Sequence, residues 1–216
     1  MKELLYKEFK LAKHPTMLIF WAFALMLLIP SYPYYIAYMY TCLSVFFVFI
    51  TGRENRDIEF TASLPVRRRD VVKARCCLVA LMELSQILVS IPFAALTLRI
   101  NPNPGGNMAG IEANVAFFGL VFVMYALFNV IFLPSFYKTA VKAGWALLFG
   151  GGAVLLYILI MELLVRIPLF TGYLDAADPA GMVRQIPVLI GGILIFIALN
   201  VLAFHKSAKN FERAEL

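Results

Sequence analysis

The chain has 216 residues, of which 62% are hydrophobic and only 15% charged, with a formal net charge of +6. Soluble domains run at about 45–50% apolar and about 25% charged, so a water-soluble fold of this composition would lack polar surface to cover its core. Disorder, collagen-like sequence and coiled coil fall on the same ground, which leaves an integral membrane protein.

A span needs about 20 residues to cross roughly 30 Å of hydrocarbon. Six such helices use nearly the whole chain, so residues 1–216 read as one transmembrane domain without an extramembrane unit. Lipid-facing backbone must bond within its own segment, and long apolar runs without strand alternation therefore predict helices.

Residues 1–14 come first and predict an amphipathic helix. At ~100° per residue, Met1, Leu4, Leu5, Phe9, Leu11 and Ala12 share one arc and the lysines share the other, with Glu8 interrupting the apolar side. Such an elbow helix lies flat in a leaflet, and His14-Pro15 turns the chain inward, because the residue before proline avoids helix. The six predicted spans are Met17–Pro30, Tyr34–Ile50, Val71–Leu98, Ala113–Ser135, Ala140–Val165 and Ile186–Phe204. Pro30 and Pro33 make the first two a tight hairpin. A cleaved signal peptide would need a small-x-small site after the first run, and none follows.

The basic residues set the orientation. Lys2, Lys7, Lys10 and Lys13 precede the first span; Arg53, Arg56, Arg67, Arg68 and Arg69 lie between the second and third, and Lys73 and Arg75 at the start of the third. Lys138 and Lys142 separate the fourth and fifth, and Lys206, Lys209 and Arg213 follow the sixth, leaving only Arg99, Arg166 and Arg184 opposite. The positive-inside rule puts both termini in the cytoplasm, as an even number of spans also requires.

The loop between the second and third spans is the densest in charge. Residues 53–64 predict a short helix, with Ile58, Thr61 and Ala62 on one face and Phe60 and Leu64 nearby, ended by Leu64-Pro65. Asp70 suits the first turn of the third span. A charged helix with one aromatic plug suits docking into a groove on another protein; a solvated loop that only fixes topology is the alternative.

Two acids fall inside apolar runs. Each costs ~2.5–3.5 kcal/mol at mid-membrane unless it finds a partner or water. Glu83 has Gln86 one turn away, and the pair suits either a pathway vestibule or a dimer seam. Glu162 is expected to pair with Arg166, four residues on, and Asn129 and Asn200 to bond between helices. Gly150-Gly151-Gly152 and Gly191-Gly192 lie in spans and suit close packing. Between the last two spans, 167–185 is too polar and short to cross, and its Pro, Gly and Asp residues mark turns.

The pattern Glu54-x-x-Asp57-x-Glu59-Phe60-x-x-Ser63-Leu64-Pro65-Val66-x-Arg68-x-Asp70-Val71-Val72-x-Ala74-Arg75 resembles the first cytoplasmic loop of type-2 ATP-binding-cassette (ABC) exporter permeases. The likeness extends over the whole chain, and is greatest to small bacterial permeases, including exporters of amphipathic peptides such as phenol-soluble modulins. The resemblance implies a homo- or heterodimer on two separate ATPase subunits, in the bacterial cytoplasmic membrane. It makes the loop a coupling helix, with Glu54, Asp57, Ile58, Glu59, Phe60, Ser63, Leu64 and Pro65 at the ATPase contact. It also implies that 167–185 re-enters the outer leaflet, where Leu169, Phe170, Tyr173 and Leu174 give a lid its apolar surface.

The residues agree with that division of labour. No Gly-x-x-x-x-Gly-Lys-Ser/Thr is present, so ATP and Mg belong to a partner and no cofactor is expected in this chain. His-Glu-x-x-His and Gly-x-Ser-x-Gly are missing, and Cys42, Cys76 and Cys77 do not suit a zinc cluster. Few fixed charges lie within the spans, which favours an apolar or amphipathic substrate. The expected function is an exporter permease subunit; the alternative is a non-transporting membrane scaffold or sensor accessory.

Overall fold

The computed structural model describes residues 2–11, 16–63, 65–100, 107–139 and 143–214. Among these residues the fold is all α, with no strand. Helix α1 (Lys2–Leu11) precedes α2 (Thr16–Ala22), which runs into a 3₁₀ segment, Phe23–Leu28. Then come α3 (Tyr35–Glu54), α4 (Asp57–Ser63), α5 (Arg68–Ile100), α6 (Val115–Thr139) and α7 (Ala143–Val165). Two short helices, α8 (Pro168–Leu174) and α9 (Pro179–Arg184), lead into α10 (Ile186–Arg213).

Five helical stretches, α3, α5, α6, α7 and α9–α10, are long and apolar enough to cross a membrane. The first expected span is the exception: seven α-helical residues followed by six in 3₁₀ form. At 1.5 and 2.0 Å per residue they extend about 22 Å, short of a full hydrocarbon core. The expected turn at His14-Pro15 lies outside the described residues.

Hydrogen bonds fix which helix ends lie together. Arg68, in the first turn of α5, donates to the carbonyls of Phe211 at 3.2 Å and Ala214 at 3.0 Å, capping the C-terminal end of α10. Asn210 donates to the Pro134 carbonyl near the end of α6 at 2.9 Å. At the other end of α5, the Thr97 hydroxyl donates to the Leu27 carbonyl at 2.7 Å. There Asn107 Nδ2 reaches the Tyr32 carbonyl at 3.1 Å, and Met108 N–H reaches that of Pro30 at 3.2 Å.

The core is aromatic. Tyr38 and Tyr35 of α3 meet Phe117 of α6 at 5.5 and 4.9 Å, and Phe49 meets Phe136 at 4.6 Å. Along α6 and α10, Gly119 and Gly192 let the backbones touch: a Cβ on Gly192 would overlap the Gly119 carbonyl. Gly150 packs against Phe128 and Phe132, while Gly152 and Gly191 have nothing within 4 Å of an added Cβ.

The segment after α7 folds back onto the start of α6. Pro168 and Pro179 open α8 and α9, and Asp178 caps α9 by accepting from Gly181 N–H at 3.0 Å. The buried Gln185 side chain accepts from Ala116 N–H at 3.0 Å and donates to the Ala176 carbonyl at 2.9 Å. Asn114 donates to the Leu174 carbonyl at 2.7 Å.

Candidate functional site

Helix α1 brings Lys7 and Glu8, α4 brings Asp57 and Thr61, and α5 brings Arg75 to one junction. Arg75 Nε lies 2.5 Å from Glu8 Oε2, and Arg75 Nη2 lies 2.6 Å from Asp57 Oδ2. Lys7 Nζ closes the group at 2.6 Å from Asp57 Oδ1 and donates to Thr61 Oγ1. The Thr61 hydroxyl donates in turn to the Asp57 carbonyl at 2.7 Å. Two cations meet two carboxylates, so the cluster is neutral although nearly dry.

Local sequence explains the approach. Gly52 leaves room for the guanidinium, since a Cβ there would stand 3.2 Å from Arg75 Nη1. The Phe49 ring lies 5.4 Å from Arg75 Cζ, a cation–π distance. Burial pushes the Glu8 carboxyl above its ordinary range, and the adjacent Arg75 only partly offsets that shift. A buried ion network of this kind holds helices in a fixed register and is costly to break by removing one member.

The expected coupling helix differs at its start. Arg53 and Glu54 belong to the end of α3, and the chain turns at Asn55–Arg56 before α4 begins at Asp57. Arg56 takes φ 52°, a left-handed conformation that ends α3 and re-aims α4. Of the expected contact residues, Asp57 enters the buried junction, while Glu54, Phe60, Ser63 and Pro65 stay exposed. Phe60 is 63% exposed, a large ring left bare next to the ion cluster. The Ser63 hydroxyl bonds back to the Phe60 carbonyl at 2.7 Å. The side chains of Ile58 and Glu59, and all of Leu64, lie outside the described residues.

Lys7, Glu8 and Thr61 were not among the expected contact residues. Glu8 had a signal, because a carboxylate breaking an apolar arc needs a buried cation. Arg75 had one also: it stands inside the third span, beyond the arginines that merely flank it.

Glu83 and Gln86 are fully buried within the chain's own helices. Asn129 of α6 donates to Glu83 Oε2 at 2.8 Å and to Asn200 Oδ1 of α10 at 3.0 Å, a polar tie across three helices as expected of the asparagines. Gln86 does not join it; Ser90 bonds to its backbone carbonyl at 2.6 Å. Glu162 corrects an expectation. No ion pair with Arg166 closes within 4 Å, because α7 ends at Val165 and the four-residue spacing loses its helical geometry. The Glu162 carboxylate lies against Gly110 instead.

Long apolar helices around a polar tie, with a charged junction at one end, define a multi-pass membrane protein. The family model described as ABC-2 family transporter protein matches residues 3–212, and the chain belongs to that family. It is therefore a membrane permease component of an ABC transporter, a family that works with ABC ATPase subunits and is not itself the ATPase. No curated protein and no solved structure matches the chain.

Proposed function

We propose that this chain is the permease subunit of an ATP-driven exporter in a bacterial cytoplasmic membrane, moving an amphipathic or apolar substrate such as a peptide. Separate ATPase subunits bind ATP and Mg, and two permease copies, identical or not, pair across the membrane. Residues 16–28 make the sixth crossing, both termini are cytoplasmic, α1 is the elbow helix and α8–α9 re-enter the outer leaflet.

The observation that supports this reading is the ion junction. Glu8, Asp57, Lys7 and Arg75 tie α1, α4 and α5 together within 2.5–2.6 Å, while the Phe60 face of α4 stays bare. In this reading α4 is the coupling helix and a push on Phe60 from the ATPase moves α1 and α5 together, a rigid-body transition. The polar tie from Glu83 carries the shift of α5 to α6 and α10, and Glu83 and Gln86 meet the pathway when α5 moves. Few other charges lie within the spans, which favours cargo with an apolar face.

Phe60→Asp tests the coupling. The exposed position leaves the fold intact, and ATPase copurification is expected to fall about tenfold, as for loss of a buried aromatic anchor. Unchanged copurification and unchanged ATP-driven transport would leave a scaffold or sensor as the better reading.

A further inference from the structure

At the end of the bundle that holds the ion junction, a second group of cations makes no close ion pair, although Asp70 and Glu212 stand one turn from Lys73 and Lys209. Arg69 of α5 lies across the Phe204 ring of α10 at 5.5 Å, and its Nη2 stands 3.4 Å from His205 Nδ1. The two helices run antiparallel, so Lys73 lies one turn from this contact toward the middle of the bundle and Lys209 one turn toward its end, both exposed. Among the described residues, none of these four side chains has a carboxylate within 4 Å. The contrast with Lys7 and Arg75, each paired to acids, is direct.

The patch borders an apolar surface. Toward the middle of the bundle, Val201 and Leu202 of α10 are 50% and 41% exposed, and Leu81 of α5 is 45% exposed. Positive charge at the rim of a membrane-spanning surface fits an amphipathic anion whose head binds the cations and whose chains follow the helices. We propose that the surface where α5 and α10 meet binds an anionic phospholipid, with its phosphate held at Arg69 between Lys73 and Lys209. Arg69 is fixed in advance by Phe204 and His205, so little side-chain freedom is lost on binding. Basic pockets between transmembrane helices recognise anionic headgroups in this way. An acidic face of a soluble partner could meet the charges but could not follow the apolar strip into the membrane.

The test uses the purified full chain, with phosphatidylglycerol or phosphatidylcholine added in detergent. Thermal unfolding and native mass spectrometry report stabilisation and bound lipid. Phosphatidylglycerol is expected to bind at least about tenfold more tightly than phosphatidylcholine, and R69Q/K73Q/K209Q to remove that preference while unfolding normally in phosphatidylcholine. R99Q/R166Q/R184Q, which removes three exposed charges at the opposite end, is expected to keep it. Equal loss in both triple variants, or none in the first, would overturn the site. Equal stabilisation by inorganic phosphate alone would overturn the lipid assignment. So would a first variant that retains phosphatidylglycerol yet no longer copurifies with an ATPase.

Discussion

Arg75 is the residue on which the junction turns, because it lies within 2.6 Å of both carboxylates, whereas Lys7 is 2.6 Å from Asp57 but 3.7 Å from Glu8. Its side chain and that of Asp57 are each 8% exposed and Glu8 is 2% exposed, so water cannot replace a lost partner. Arg75→Gln is expected to lower stability by about 3–5 kcal/mol, the cost of stranding buried charge. Lys7→Gln should cost less, since Lys7 is 19% exposed and its charge is partly hydrated. Thermal unfolding of both variants in one detergent checks the order. Glu8 adds a pH dependence with a definite sign. Its folded carboxyl titrates above the ordinary value of 4.5, so the folded state binds more protons than the unfolded state between the two values. The Glu8 contribution is therefore greatest below about pH 4.5 and is lost as pH rises through the folded value. Glu8→Gln should flatten that limb of the melting temperature plotted against pH. A limb unchanged in the variant would assign it to another group.

At the scale of elements, rotation of a helix decides what its sequence leaves open. Gly191 and Gly192 are neighbours with the same composition around them, and either could serve close packing. The structure turns Gly192 onto Gly119 of α6 and leaves Gly191 facing open space. Gly192→Ala is expected to push α10 off α6 and cost about 1–3 kcal/mol, the usual range for overpacking. Gly191→Ala should unfold like the parent chain, and equal destabilisation by the two would contradict the contact. The same limit explains what could be read in advance. The five long helices were legible because their apolar runs are long, and Pro168, Asp178 and Pro179 marked turns between α7 and α10, where the structure forms two short helices. The break at Asn55–Arg56 was not, since neither glycine nor proline marks it and Arg56 adopts its left-handed turn only in the folded chain. Asp57 could be picked from the loop, but its partners come from α1 and α5, elements whose approach no local pattern specifies.

For the molecule as a whole, the proposed six crossings rest on which ends meet. Glu8 reaches Arg75 near the start of α5, and Arg68, two turns earlier in that helix, caps the C-terminal end of α10. Between them the chain visits the far end of α5, where Leu27 accepts from Thr97. Arg75 and Thr97 are 22 residues apart, about 33 Å along a helix, so the Glu8 and Leu27 contacts with α5 are separated by nearly a bilayer's thickness. Five crossings would leave the termini on opposite faces; six return them to one. In the proposed reading, the excess of Lys and Arg at the end shared by α1, α4 and α10 makes that face cytoplasmic. A reporter active only in the cytoplasm is accordingly expected to work when fused at either terminus. Inserted at Met108, which is 73% exposed in the far-end loop, it should be silent, and a reporter active only outside should give the reverse pattern. Opposite signals from the two termini would mean that residues 16–28 enter the membrane without crossing it.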